Sequence, residues 1–369
     1  MNPLLAETLG HLRTLVACDT RNPPRQIGTD GIFACIAAQL PGFDVTITDH
    51  GAGAVSLFAQ RGKPKLLFNV HLDTVPDSPH WSASPLELRV TPDRAIGLGA
   101  CDIKGAAAAL LTAAAASPGD MALLFTSDEE ANDARCVAAF LAQKRPFDAV
   151  IVAEPTRCEA VLAHRGISSV LMRLRGRAGH ASGGNALTDS AVHQAINWGG
   201  KALDFVRTQA HQRFGGLTGL RFNIGRVDGG IKANMIAPAC EVRFGFRPLP
   251  SMDIDALHDA FRACADVAPA EFTETFRGPS LPAGDIAQAE EKRLAARDLA
   301  DELGLSIGNA VDFWTEASLF SQAGYTAFVY GPGDIAQAHS ADEYVDLSEL
   351  QQITESYIAI IGGSAHGRA

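Results

Sequence analysis

Four apolar runs in this chain each lead into an acid or a histidine. Leu66–Val70 leads into His71-Leu72-Asp73, and Met121–Thr126 into Ser127-Asp128-Glu129-Glu130. Ala149–Val152 leads into Ala153-Glu154-Pro155, and Thr326–Tyr330 into Gly331-Pro332-Gly333 and on to His339. Two more runs, Val45–Thr48 and Val55–Ala59, read as strands of the same kind. Helical patterns alternate with them at 4–17, 28–40, 104–116, 133–143, 286–303 and 347–361. Short buried strands alternating with helices predict an α/β fold, an open mixed sheet with helices on both faces. In such sheets ligands sit beyond the carboxyl ends of the strands. Four strands that deliver polar chemistry there constrain the fold and the site together.

The stretch from about 165 to 275 breaks the alternation. Val170–Leu174 and Arg221–Gly225 read as strands, and Asp189–Thr208 as a long helix. Cys240, Val242, Phe244 and Phe246 share one face of an extended run, with Glu241 and Arg243 on the other. Residues 253–266 make a further helix. These features predict a smaller α+β unit with antiparallel strands, inserted into the first domain. The expected organisation is a discontinuous domain, 1–164 and 276–369, carrying an insert at 165–275. Gly166 and Gly278 fall at the two crossings, where a hinge is expected.

Composition narrows the function. Lys+Arg 31 minus Asp+Glu 42 leaves −11, and no Lys/Arg run exceeds two residues. Nucleic acid and anionic membrane are therefore poor partners. The most apolar segment, Ala106–Ala116, is far shorter than the roughly 20 residues that span a bilayer. Met-Asn-Pro-Leu-Leu-Ala-Glu lacks the basic and apolar regions of a signal peptide. The cysteines (18, 35, 101, 136, 158, 240, 264) are odd in number and contain no CxxC. Reduced thiols in a cytoplasmic protein are expected, with no thiolate zinc site.

The strand-end residues suit metal chemistry. Residues two apart in extended chain point the same way, so His71-x-Asp73 pairs a nitrogen ligand with a carboxylate that can orient it. By itself the signal is weak, and a surface turn is the simpler reading. Asp102 precedes the Ala-rich helix within Gly97-Leu98-Gly99-Ala100-Cys101-Asp102. The third glycine of a dinucleotide motif would fall at 102, so that reading fails. A helix cap is the simpler role for Asp102 taken alone. Glu129 and Glu130 are adjacent and diverge. One can bind metal while the other serves as general base, although a solvated helix start is the plain alternative. Glu154 and His339 add two more donors. Histidine nitrogens and carboxylates without thiolates suit zinc, cobalt or manganese.

Five motifs in order resemble the M20-type metallo-aminoacylases and peptidases, the acetylornithine deacetylase / succinyl-diaminopimelate desuccinylase group. They are His71-x-Asp73-Thr-Val-Pro, Gly99-Ala-Cys-Asp102-Ile-Lys-Gly105, Ser127-Asp-Glu129-Glu130, Glu154-Pro-Thr and His339-Ser-Ala-Asp-Glu343. The resemblance runs over essentially the whole chain. It implies a zinc-exopeptidase-like fold and two divalent metal ions, zinc or cobalt, about 3.5–4 Å apart. Asp102 would bridge them, His71 and Glu154 would complete one site, and Glu130 and His339 the other. Asp73 would orient His71, and Glu129 would act as the base. His180 in Gly179-His180-Ala181-Ser182 matches the family's oxyanion histidine. Arg247 matches the arginine for a substrate carboxylate, Asn234 a substrate-contacting asparagine, and Gly333 a substrate-binding position. The insert would be a lid and the surface of a homodimer.

The implied substrate is a small-molecule N-acetyl amino acid. Glu154-Pro-Thr with Gly331-Pro-Gly resembles the acetylornithine-type branch. Within it N-acetyl-L-citrulline, in arginine biosynthesis, is expected ahead of N-acetyl-L-ornithine and of other acylamino acids or dipeptides. Three positions depart from the pattern: Leu98 replaces a common Arg, 131–135 lacks a usual glycine, and Glu316 stands where Asp is common. None removes a ligand. A non-catalytic binder on this scaffold would have lost a ligand or the base. A phosphoesterase would show more cationic or P-loop features, and no P-loop, HExxH or GxSxG occurs.

Overall fold

The computed structural model describes residues 2–363. The chain divides into two compact units. One comprises residues up to Leu162, Lys292–Asn309 and the chain from Thr315; the other comprises Ala163–Glu291 and Ala310–Trp314.

In the first unit six strands form one mixed sheet. Their order is Asp44–Asp49, Val55–Arg61, Met121–Thr126, Leu66–His71, Ala149–Val152, Thr326–Val329. The last four run parallel, and the first two are antiparallel additions at one side. The strand Met121–Thr126 is buried at every residue, as the central position of a covered sheet requires. Alternate side chains reach opposite layers. Phe68 meets Tyr357 of the helix Leu347–Gly363, whereas Phe58 meets Phe140 of the helix Arg135–Leu141.

The helix predicted over 4–17 spans Pro3–Ala17, and its Leu5, Leu9, Leu12 and Val16 lie in the core. The Asn2 side chain caps this helix by accepting the Leu4 amide. It packs against Lys104–Ala116, whose alanines let neighbouring helices approach closely. Three threonine hydroxyls, Thr8, Thr112 and Thr354, join the helices Pro3–Ala17, Lys104–Ala116 and Leu347–Gly363 at 3.0 and 3.2 Å. Three helices are several residues shorter than predicted: Ile32–Ala38, Arg135–Leu141 and, in the second unit, Ile254–Ala263. The first is delayed by Gly31 at φ +60, a conformation no right-handed helix contains.

The second unit is a four-stranded antiparallel sheet in the order Arg221–Gly229, Ala239–Arg247, Ile167–Arg175, Glu271–Gly278. Helices Ala191–Thr208 and Ile254–Ala263 close its apolar face through Trp198 and Phe261. The sequence-based boundary at 276 cuts through the strand Glu271–Gly278, which pairs with Ile167–Arg175 as far as Gly278↔Ile167. A bulge at Glu274/Phe276 breaks its alternation and hides it from periodicity. The segment 310–314 joins this unit through buried Arg165. Its guanidinium donates to the Thr218 and Gly219 carbonyls and to the Asp312 carboxylate.

The two glycines expected at a hinge are packed instead. A Cβ on Gly166 would meet Ser280 Oγ at 2.9 Å and Pro248 Cγ at 3.0 Å. One on Gly278 would run into the Trp314 indole. Both glycines allow close approach, and neither has a positive φ.

Candidate metal centre

Parallel register places the chemistry. His71 lies opposite Thr126 and Asn69 opposite Val152, so three strand ends open at one level. His71 closes its strand, Glu130 and Glu154 follow theirs, and Asp102 precedes the helix Lys104–Ala116. The second imidazole comes from His339, which adopts φ +59, uncommon for a residue with a Cβ.

Two ligand groups result. His71 Nε2 lies 3.1 Å from Asp102 Oδ1 and 3.7 Å from Glu154 Oε1. His339 Nε2 lies 2.9 Å from Glu130 Oε1 and 3.4 Å from Asp102 Oδ2. Within each group the ligand atoms all fall within 4.8 Å of one another. Asp102 offers one oxygen to each group and is the member they share.

His71 Nδ1 faces Asp73, the residue expected to orient it. Its Nδ1 donates to the main-chain oxygen of Asp73 at 3.0 Å, while the Asp73 carboxylate stands at 3.5 Å. This hydrogen bond places the proton on Nδ1 and leaves Nε2 to face Asp102 and Glu154. The Asp73 carboxylate holds other groups: Oδ2 accepts the Asn22 side-chain amide at 2.9 Å and the Glu130 backbone amide at 3.0 Å.

Burial and crowding set the electrostatics. Burial pushes Glu154 up to about 7 and Glu129 well above the carboxylate range, with neighbouring carboxylates adding to both shifts. Burial also raises Glu130. Hydrogen bonds to Asp102 and Glu130 raise His339 to about 10. Burial opposes a charge on His71, but Glu154 and Asp102 outweigh it and raise its pKa. Burial likewise opposes ionisation of Asp102, yet hydrogen bonds from His339 and His71 hold it below the usual range. Protons on the two imidazoles thus offset the crowded carboxylates. A divalent cation in each group would do the same, and the all-nitrogen-and-oxygen donor set fits zinc, cobalt or manganese. Cys101 is no competitor, because its thiol donates to the Asp334 carbonyl.

The second unit holds the other expected residues. Met235 pairs with His180, and the Ala181 amide donates to the Asn234 carbonyl at 3.0 Å, which brings His180 and Asn234 together. His180 Nδ1 accepts the Ser182 amide at 3.3 Å and the Ser182 hydroxyl at 2.8 Å. The ring proton of neutral His180 therefore sits on Nε2, which makes that atom a donor. Arg247 ends the strand Ala239–Arg247 and lines a depression of about 470 Å³ with Arg221, Asn223 and Arg243.

Gly333 is placed otherwise than the expected substrate contact requires. Its amide donates to Glu349 at 2.6 Å and its carbonyl accepts the Arg157 amide at 2.8 Å. Both backbone groups are engaged within the fold, so Gly333 offers a substrate no free donor. Its φ of +92 and the Cys101 thiol against its Cα face account for the glycine. Outside this centre, His258 bonds Ser168 and His164 bonds the Arg165 carbonyl. His366 lies outside the described residues.

Sequence reasoning missed Asn22 and assigned no role to Glu343, although both hold parts of this centre. The only sequence signal for Asn22 was its place before Pro23-Pro24.

Residues 67–362 match peptidase family M20/M25/M40. The chain is 72% identical over 365 residues to N-acetyl-L-citrulline deacetylase of Xanthomonas campestris pv. campestris, covering 99% of this chain and 100% of that protein. It is 31% identical over 329 residues to acetylornithine deacetylase of Klebsiella pneumoniae, covering 84% and 79%. Its fold is similar to that of an M20 family metallo-carboxypeptidase from Sulfolobus solfataricus, with TM-score 0.73 and 15% identity over 96% of this chain and 98% of that one.

Proposed function

The chain belongs to peptidase family M20/M25/M40, and from that membership we propose that it hydrolyses N-acetyl-L-citrulline to L-citrulline and acetate. The observation that carries the chemistry is the pair of ligand groups sharing Asp102, with Glu129 beside them and in neither. The substrate choice is supported by the 72% identity over nearly the whole chain.

Two divalent ions, zinc or cobalt, would be held by His71, Asp102 and Glu154 on one side and by Asp102, Glu130 and His339 on the other. When bound, they supply Lewis acidity toward the amide carbonyl and lower the pKa of a water. Glu129 takes the proton from that water and returns it to the leaving amine. His180 Nε2–H is the proposed donor to the tetrahedral oxyanion. Arg247 is the proposed partner of the substrate carboxylate, and Asn234 a further substrate contact.

The proposal extends to a cytoplasmic homodimer built through the second unit. Ile196 and Leu203 are exposed one heptad apart on the helix Ala191–Thr208, and Val227 is exposed on the edge strand Arg221–Gly229. Exposed apolar side chains beside an open strand edge suit pairing with a second copy. Among the described residues no helix is long and apolar enough to cross a membrane.

The test is kcat/KM for N-acetyl-L-citrulline and N-acetyl-L-ornithine, on chelator-stripped enzyme with zinc or cobalt restored. Metal-dependent preference for acetylcitrulline is expected. A preference for acetylornithine would keep the chemistry and move the substrate, and no metal-dependent hydrolysis of either would refute the proposal.

A further inference from the structure

Glu343 closes the run His339–Glu343, and the reaction above leaves it without a part. It is 2% exposed. Its Oε1 accepts the Cys101 and Asp102 amides, both at 2.9 Å, and its Oε2 accepts the Gly99 amide at 3.0 Å. Both oxygens are thus turned onto the loop that carries the shared ligand.

The fold explains how the acid arrives there. The strand Tyr344–Asp346 pairs with Arg94–Ile96, with Tyr344 opposite Ile96. Glu343 consequently faces Gly97, whose amide donates to the Glu343 carbonyl at 3.0 Å. Gly99 at φ +76 then turns the chain so that three amides converge, an anion-binding concavity filled by the protein's own carboxylate. A Cβ at Gly99 would press on Thr74 Cγ2 at 2.8 Å.

We infer that Glu343 is a positioning residue that fixes Asp102 between the two ligand groups. This rests on the metal reading given above. The Asp102 amide is one of the three that Glu343 holds, so the backbone of the shared ligand is tied directly. Glu343 also lies four positions after His339. One short segment therefore supplies a ligand to one group and restrains the ligand common to both. A carboxylate is needed because three donors converge on it. A glutamine offers one acceptor oxygen, and its NH2 would confront an amide N–H. An aspartate keeps both oxygens but is one methylene short.

The test is zinc binding to the chelator-treated full-length protein by calorimetry, with thermal melting of the metal-free form and steady-state kinetics alongside. Glu343→Gln is expected to weaken zinc about 10- to 100-fold and to lower kcat, with KM for N-acetyl-L-citrulline nearly unchanged. Glu343→Asp should fall between wild type and Glu343→Gln. Wild-type zinc affinity in Glu343→Gln, with only a lower melting temperature, would overturn the inference and leave a structural role. Should that variant not fold, Glu343→Asp decides: weakened zinc supports positioning, and wild-type affinity overturns it. A wild-type protein that binds no zinc would refute the metal reading itself, a result distinguishable from failure of the variant alone.

Discussion

Asn22 Nδ2 lies 2.9 Å from Asp73 Oδ2, the oxygen that also accepts the Glu130 amide. One carboxylate oxygen thereby joins the N-terminal loop, the turn after His71 and the segment that carries Glu130. Asn22→Ala should lower kcat/KM about 10-fold or more, since supports of this kind govern ligand placement. Asn22→Asp should be worse than Asn22→Ala at pH 8, because it sets a second carboxylate against Asp73. Lower pH should narrow the gap between the two as the introduced acid protonates. Parallel pH profiles for the two variants would count against this account.

Glu129 belongs to neither ligand group, although it is electrostatically close to His71, Glu130, Glu154 and Asp102. Glu129→Gln should therefore keep zinc stoichiometry while kcat falls about 10²- to 10⁴-fold. Calorimetry on the metal-free variant checks the first part and initial rates the second. Loss of one equivalent of zinc would make Glu129 a ligand.

His180 donates through Nε2 because Ser182 occupies Nδ1 twice. His180→Ala should reduce kcat about 10²- to 10³-fold with a smaller change in KM, as for removal of an oxyanion donor. Ser182→Ala removes only the hydroxyl and retains the backbone amide that sets the tautomer. Its kcat should remain within about 10-fold of wild type. A Ser182→Ala defect as large as that of His180→Ala would show that the amide alone does not fix the ring.

The candidate ligand residues could be picked out because they follow strands whose buried character is written in short apolar runs. His71, Glu130 and Glu154 sit where such runs stop, and parallel register does the rest. Asn22 was not legible: it lies in a loop without periodicity, and its partner is 51 positions away. The acidic end of His339–Glu343 could be quoted from sequence, but not the three amides that it accepts. The unit boundaries escaped for a similar reason. Residues 310–314 join the second unit through Arg165 and Asp312, a contact that no local pattern announces. Glycine signals freedom and close packing alike, which is why Gly166 and Gly278 read as hinges in the sequence and pack tightly in the fold.

Glu316, one of the three departures from the family pattern, carries a stability prediction. It is 1% exposed, its Oε2 accepts the Thr126 hydroxyl at 3.0 Å, and its Oε1 has no hydrogen-bond partner among the described residues. Burial, reinforced by the charge of Asp128, raises its pKa from 4.5 to about 8. Between those values the folded state keeps a proton that the unfolded chain has released. Stability must then fall as pH rises through this window, by at most about 1.4 kcal/mol per pH unit. Glu316→Gln resembles the protonated acid in shape, can still accept from Thr126, and does not titrate. Its melting temperature should match wild type near pH 5 and exceed it near pH 9, at equal metal loading. Asp128, also raised by burial to about 6, titrates in both proteins and drops out of the difference. Melting curves that stay parallel from pH 5 to pH 9 would mean that Glu316 is ionised in the folded protein throughout.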